Sequence, residues 1–358
     1  MYKVIQWATG AMGRASLRRI IEHPDLELAG LFVYGNKAGQ DAGDLVRRPK
    51  TGIIATNKIE DILALDADVV MHMPRLTRPY DAMNGDVEKL LASGKNVISI
   101  AGFHWPDAQG PAYAAPLHAA CIKGQSSLAG LGLNPGTLAE RIMLAATGMS
   151  TRLDRINVSE AVDASNMASP EFVFDLMGFG SDPAVVDLAR GPLAALYTVL
   201  FSEVFFNVAA ALGTTIARKR EDHRITTTPR DLTMAAGTIP AGRVAATEWR
   251  WVAQFENGIE MTLSILWTAD PSLHGQRCHD HWVIELSGRP NIRLTMDISD
   301  ELPDGPASRG LVDATVAVAL AGIPAVCAAP PGFFAYAPPP VYSARLGNQG
   351  MKPLVRAT

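Results

Sequence analysis

Three cysteines in 358 residues, Cys121, Cys278 and Cys327, are too few and too scattered to build a disulfide framework. Their odd number fits reduced thiols, so a cytoplasmic chain is expected. Charge is scarce as well. Asp, Glu, Lys and Arg make up 19% of the chain and the formal net charge is −4, which leaves no basic footprint for a nucleic acid partner. No run of eighteen apolar residues occurs, and the N-terminus enters a strand pattern without a basic leader or cleavage site, so no membrane partner is expected. No internal repeat stands out. What remains is a chain with 48% apolar residues, long enough for a large core shared between two lobes.

The informative segment is the first turn. A short apolar strand, Lys3-Val4-Ile5-Gln6-Trp7, runs into Ala8-Thr9-Gly10-Ala11-Met12-Gly13-Arg14 and then into a helical pattern. Gly10 admits a pyrophosphate close to the backbone, Gly13 admits close packing of helix on strand, and the first N–H groups of the helix face the phosphate charge. Ala8 stands where such turns usually have their first glycine. A second strand, Leu28-Ala29-Gly30-Leu31-Phe32-Val33, follows after the length that a right-handed crossover needs. Together these predict a dinucleotide-binding unit. The carboxylate that usually holds a ribose 2′-hydroxyl is missing, because the strand is followed by Tyr34, Gly35, Asn36 and Lys37, with no acid before Asp41. Asn36 and Lys37, with Arg14, suit a 2′-phosphate, so NADP is expected, with NAD possible. The alternative is that Lys37 is a solvated loop charge.

Strand signals at residues 53–55, 68–73, 96–100 and 127–131, with helical stretches at 86–93 and 114–123, extend this into a doubly wound parallel sheet. The texture then changes. Residues 194–212 place apolar side chains at Leu196, Leu200, Val204, Val208 and Leu212 and read as a long buried helix. After Pro240 the period becomes two, with Trp249, Trp251, Ala253 and Phe255 on one side and a hairpin turn at Asn257-Gly258. A further strand pair is expected at 281–286 and 291–295. Residues 311–321 return to a helical period, and the Pro- and Gly-rich chain from Ile323 is expected to be neither helix nor central strand. The fold class is therefore α/β: an N-terminal Rossmann-type doubly wound parallel sheet at 1–148, and a second α+β domain on a mixed or antiparallel sheet at 149–305. A C-terminal segment, 306–358, returns to the first domain.

Four segments carry a family resemblance: the N-terminal turn, Gly39-Gln40-Asp41-Ala42-Gly43-Asp44-Leu45, Gly132-Leu133-Asn134-Pro135-Gly136, and Ile323-Pro324-Ala325-Val326-Cys327-Ala328-Ala329-Pro330-Pro331-Gly332. Jointly they resemble the dihydrodipicolinate-reductase-like family, in the branch of 2,4-diaminopentanoate dehydrogenase and the native amine dehydrogenases. The resemblance implies a homodimer and hydride exchange between NAD(P)H and a C=N or C–NH2 carbon held in a cleft between the lobes. It also implies that Gly10, Ala11, Met12 and Gly13, with Thr9, hold the pyrophosphate and that Asn134 and Pro135 lie beside the nicotinamide. The chain departs from the branch at one place. A glutamate that the branch carries shortly after the strand ending at Ile100 is absent from Ala101-Gly102-Phe103-His104-Trp105-Pro106-Asp107. Reduction of a ketone or aldehyde is therefore the alternative, and a coenzyme-binding protein without turnover is the third reading.

Hydride transfer to a polar double bond needs a proton source beside the heteroatom. His104 is the leading candidate and Asp107 the second, with a packed loop histidine as the structural alternative for His104. His72, at a strand end, faces the ligand edge of the sheet and is a coenzyme candidate. Phe103, Trp105, Met167 and Phe172 supply apolar surface for a small, largely apolar substrate. Arg75 and Arg78 read as solvated charges. His274, Cys278, His279 and His281 fit no standard metal spacing, so no metal is expected.

Overall fold

The computed structural model describes residues 1–278, 281–298 and 309–344. In chain order the elements begin with β1 (Tyr2–Trp7), α1 (Ala11–Glu22), β2 (Leu26–Phe32), α2 (Ala42–Val46), α3 (Ile59–Leu63), β3 (Val69–His72), α4 (Asn84–Ala92), β4 (Asn96–Ser99), α5 (Pro111–Gly124) and β5 (Ser127–Gly130). Next come α6 (Leu144–Thr147), β6 (Arg152–Asp163), α7 (Pro192–Ala211), β7 (Ile216–Glu221), β8 (Arg224–Thr227), β9 (Leu232–Met234), β10 (Gly237–Ile239), β11 (Val244–Phe255), β12 (Glu260–Thr268), β13 (Trp282–Arg289) and β14 (Ile292–Met296). The chain ends its described course with α8 (Gly310–Ala321), α9 (Ile323–Cys327) and β15 (Gly332–Phe333). Two compact units result: Met1–Thr137 with Ile298–Ala337, and Leu138–Asp297 with the chain from Pro338. The boundary thus falls at Thr137 rather than after residue 148, and the returning segment leaves the first unit at Ala337.

The first unit is a doubly wound sheet in the order β15-β5-β4-β3-β1-β2, with every ladder parallel. Its strands are buried on both faces, so alternate residues feed two cores. Ile5, Trp7, Val70, Val97 and Leu128 pack with Val87, Leu90 and Leu117 of α4 and α5 on one side. Val4, Val69, Met71, Ile98 and Ala129 pack with Ile20 of α1 and Val316 and Ala319 of α8 on the other. Because β1 lies between β2 and β3, the chain leaves it to opposite sides, which opens a crevice at the carboxyl ends of β1 and β3.

Two sequence expectations need correction here. Residues 53–55 form no strand of their own; Thr56 makes a single parallel bridge to Phe32, and Ile54 an antiparallel one to Asp41. The chain from Ile323 is helical for five residues, since Pro324 stands in the first turn, where its missing N–H is not needed. The helical run Gly310–Cys327 also reaches membrane-spanning length, with a mean hydropathy of 1.9 over 18 residues. Val316, Ala319, Ile323 and Val326 are buried in a cluster with the sheet, and 33% of the run is buried in all.

The second unit carries a mixed sheet in the order β14-β13-β6-β12-β11-β7, with β8 also on β11. Only β6 and β12 run parallel in it; the remaining ladders are antiparallel. The β11–β12 hairpin turns at Asn257-Gly258, where Gly258 has φ 89°. α7 covers one face. Its Phe201, Val204, Phe205 and Val208 share a core with Trp249, Trp251, Ala253 and Phe255 of β11. Phe205 is 1% exposed, so truncating it leaves a cavity as well as losing burial. Phe205→Ala is expected to destabilise the second unit by about 3 to 5 kcal/mol in urea unfolding followed by tryptophan fluorescence. A loss below about 1 kcal/mol would mean that α7 is not anchored there.

Candidate functional site

The carboxyl edge of the parallel sheet gathers the predicted coenzyme residues of the first unit. At the end of β1 the backbone turns sharply. Ala8 takes φ 73°, a left-handed conformation that disfavours any residue with a Cβ, and Gly13 approaches so closely that a Cβ there would strike the Ala8 carbonyl oxygen. Gln6, fully buried in β1, ties this turn down: its Nε2 donates to the carbonyls of Trp7 and Ala8, both at 3.1 Å. Gly10 is a different case. Its φ of −69° suits any residue, and nothing in the protein lies within 4 Å of where a Cβ would stand. Neither conformation nor packing within the protein requires a glycine there, and the space beside it is open to a ligand.

Residues 11 to 13 begin α1, which has no side-chain cap and no acid in its first turn, so its N–H groups are available to an anion. Arg14 is exposed in that turn. From the end of β2, Lys37 reaches back across the crevice, its Nζ donating to the Thr9 carbonyl at 3.1 Å and to Thr9 Oγ1 at 3.0 Å. Lys37 is therefore a partner of the glycine turn, not a free surface charge. Asn36 beside it is exposed. Asp41, the first acid after β2, is committed elsewhere: it accepts from the N–H groups of Thr51, Gly43 and Gly52. These bonds, led by Thr51, hold its carboxyl below the usual range. No carboxylate of this segment is left for a ribose. These features fit a dinucleotide coenzyme: the open cradle at Gly10 and the uncapped helix start would hold a pyrophosphate.

The next strand ends form a second group. His72, at the end of β3, is 1% exposed, and its Nδ1 lies 3.0 Å from Ser99 Oγ at the end of β4. Ser99 Oγ accepts from the Ala101 N–H at 3.1 Å and shares its other hydrogen bond with His72 Nδ1. Burial pushes the His72 pKa down to about 3. Beyond Ser99 the chain folds tightly, with Gly102 at φ 114° and Phe103 at φ 67°. A Cβ on Gly130 would strike Gly102, Phe103 and His104, so this bare strand end is what lets the segment cross β5. Phe103 is 2% exposed and its ring stands edge-on to His72 at 6.4 Å. His104 is 5% exposed, Trp105 half-buried, and Asp107 exposed at the start of the turn Pro106–Gln109. Asn134 follows the end of β5 half-buried and extended, with φ −128°, before the buried Pro135.

Met167 and Phe172 belong to the second unit, where they pack against its core; Phe172 meets Trp267 with ring centroids 5.7 Å apart. His274 Nε2 pairs with Thr268 Oγ1 and His281 Nε2 with Glu160. His279 and the side chain of Cys278 lie outside the described residues. Among the described residues no three potential ligands cluster for a metal. Sequence reasoning missed Gln6 and Ser99. The available signal for Gln6 was a lone amide inside an otherwise apolar buried strand.

Residues 4–104 match the family described as dihydrodipicolinate reductase, N-terminus, and residues 138–352, more than half of the chain, match the 2,4-diaminopentanoate dehydrogenase C-terminal domain. The chain is 29% identical over 317 residues to an amine dehydrogenase of Streptomyces virginiae, covering 84% of this chain and 86% of the relative. It is 25% identical over 355 residues to the 2,4-diaminopentanoate dehydrogenase of Acetoanaerobium sticklandii, covering 97% and 95%. Among solved structures, an amine dehydrogenase from Mycobacterium smegmatis has the same fold, with a TM-score of 0.70 at 18% identity over 93% of this chain and 94% of that one.

Two outcomes are expected. Gly10→Ala leaves the melting temperature near that of the parent but weakens coenzyme binding at least tenfold by calorimetry, whereas Gly13→Ala loses stability itself; equal coenzyme affinity in Gly10→Ala would remove the pyrophosphate from this turn. For His72, the unfolded chain takes up a proton below pH about 6.5 while the folded chain resists until about 3. The stability is thus complete above pH 6.5 and is lost as the pH falls through that window, by up to about 5 kcal/mol. Melting temperature should fall more steeply from pH 6.5 to 4 in the parent than in His72→Gln, and parallel curves would contradict a buried neutral histidine.

Proposed function

The chain belongs to the 2,4-diaminopentanoate dehydrogenase C-terminal domain family as an NAD(P)-dependent oxidoreductase of the amine dehydrogenase branch, and we propose that it interconverts a small, largely apolar amine and its carbonyl compound. Oxidation of the amine carbon removes a hydride and a proton to give the imine, which water converts to carbonyl and ammonia; the reverse sequence is reductive amination. The coenzyme, when bound, supplies the site that accepts or returns the hydride. The observation that carries the reading is the family match over residues 138–352 in a chain whose first turn keeps an unneeded glycine at Gly10.

The protein's own part is placement and proton handling. The α1 N–H groups and Thr9 hold the pyrophosphate, and Asn134 and Pro135 border the nicotinamide. His104 moves the proton, with Asp107 as the exposed acid nearest to it in sequence. Met167 and Phe172 contribute apolar surface for the substrate. NADP is the preferred coenzyme in this reading, because Asp41 is fully occupied by its own turn while Lys37, Asn36 and Arg14 offer positive charge and donors to a 2′-phosphate. A homodimer belongs to the same proposal. One observation favours a second reading: no glutamate occurs in residues 101–107, as carbonyl reduction without ammonia would allow.

The test is oxidation of NADPH and NADH with a panel of apolar ketones, with and without ammonium. The expected result is turnover that requires ammonium, at least tenfold more efficient with NADPH, and reduced by Lys37→Ala chiefly through the KM for NADPH. Turnover independent of ammonium would replace the proposal with carbonyl reduction, binding without turnover would make the protein a sensor, and a preference for NADH would remove the role of Lys37.

A further inference from the structure

Tyr34, just beyond the end of β2, is 54% exposed, although the aromatic residues that hold it are buried. Trp7 and Phe32 stack on each other with ring centroids 3.7 Å apart. Trp7 donates its indole N–H to the Tyr34 hydroxyl at 2.9 Å, and Phe32 stands perpendicular to the Tyr34 ring with centroids 5.3 Å apart. A tyrosine at a surface ordinarily buries its ring and keeps its hydroxyl in water. Tyr34 does the reverse. Its hydroxyl is turned inward onto a fully buried indole, and burial pushes the hydroxyl pKa up. What the side chain shows to solvent is therefore chiefly ring.

This ring is also held in place, because turning it away would leave the buried indole N–H of Trp7 without its acceptor. Its position on the sheet decides what it meets. β2 runs parallel to β1 with Phe32 opposite Trp7, and Trp7 leads directly into the turn from Ala8 to Gly13. Asn36 and Lys37 follow Tyr34 closely, and Lys37 Nζ reaches Thr9 of that turn. In the adenosine half of NADP(H) one ribose carries the pyrophosphate, the 2′-phosphate and the base, the last two on adjacent carbons. A ribose held between the Gly10 turn and Lys37 thus leaves its base within reach of Tyr34. A purine presents a flat face, which stacks favourably on a phenol ring.

We infer that Tyr34 is the platform on which the adenine of NADP(H) stacks, and that Trp7, buried behind it, is the positioning residue that fixes the ring. This rests on the coenzyme reading above and extends it from the phosphates to the base. The role is one of binding, and no bond is made or broken.

Calorimetry on the full chain tests this without turnover, using 2′,5′-ADP, which is the adenosine end alone, and reduced nicotinamide mononucleotide, which lacks that end. Tyr34→Ala should bind 2′,5′-ADP and NADPH at least tenfold more weakly and bind the mononucleotide as the parent does. Tyr34→Phe loses the same bond with Trp7 but keeps the ring, so it should bind 2′,5′-ADP at least threefold more tightly than Tyr34→Ala. The indole N–H resonance that Tyr34→Phe displaces identifies Trp7, and 2′,5′-ADP should shift that resonance in the parent, which a merely structural Trp7 would not show. Failure of the parent to bind 2′,5′-ADP, or equal 2′,5′-ADP affinity in Tyr34→Ala and the parent or in Tyr34→Ala and Tyr34→Phe, would overturn the platform. An unmoved Trp7 resonance would overturn the positioning role. A protein that binds 2′,5′-ADP through Tyr34 yet turns over no amine would refute the proposed function and leave the platform standing. Ammonium-dependent turnover with an unchanged KM for NADPH in Tyr34→Ala would do the reverse.

Discussion

The approach of the first helix to the first strand governs the coenzyme side of this protein. For α1 to leave β1 at such a short distance, Gly13 must lie against the Ala8 carbonyl, and Ala8 must accept a left-handed backbone. A residue with a Cβ in that conformation costs about 1 kcal/mol or more. Two interactions offset it. Gln6 ties the carbonyls on either side of the bend, and Lys37 ties the following Thr9 from the neighbouring strand. The outcome is a turn whose N–H groups are held in place before a ligand arrives, which reduces what binding must spend on ordering the loop.

The second group at the strand ends follows from the same parallel arrangement. Parallel strands bring His72, Ser99 and Gly130 to one edge, and the absence of a side chain at Gly130 lets residues 102–104 cross it. His72 is then held by Ser99 and stays neutral because burial excludes its charged form. A neutral side chain at that edge is compatible with a coenzyme whose reactive ring becomes positively charged on oxidation. The second unit meets a different demand. Its sheet must hide an apolar face, and α7 does so.

Much of this was legible from residue order. The glycine turn, the change of period after Pro240 and the hairpin at Asn257-Gly258 each have local causes that a sequence displays. Expectations failed where the deciding contact was distant. Residues 53–55 have strand composition, yet they and Thr56 make only isolated bridges, Ile54 to Asp41 and Thr56 to Phe32, and so form no strand. Pro324 looked like a helix breaker but occupies the first turn, where proline is tolerated. The unit boundary lies inside the helical segment Leu133–Met143, which no linker composition announces. Gln6 and Ser99 are single polar residues in apolar strands. The apolar run says that they are buried, and only the strand order says what they meet.

Hydrogen exchange of the full chain with and without NADPH tests the central claim most directly, because it locates the coenzyme instead of only detecting it. Tight binding at the first turn predicts slowed exchange at the amides of Thr9 to Arg14, with a smaller effect at Asn36 and Lys37. Saturating coenzyme that leaves those amides unchanged would contradict the account.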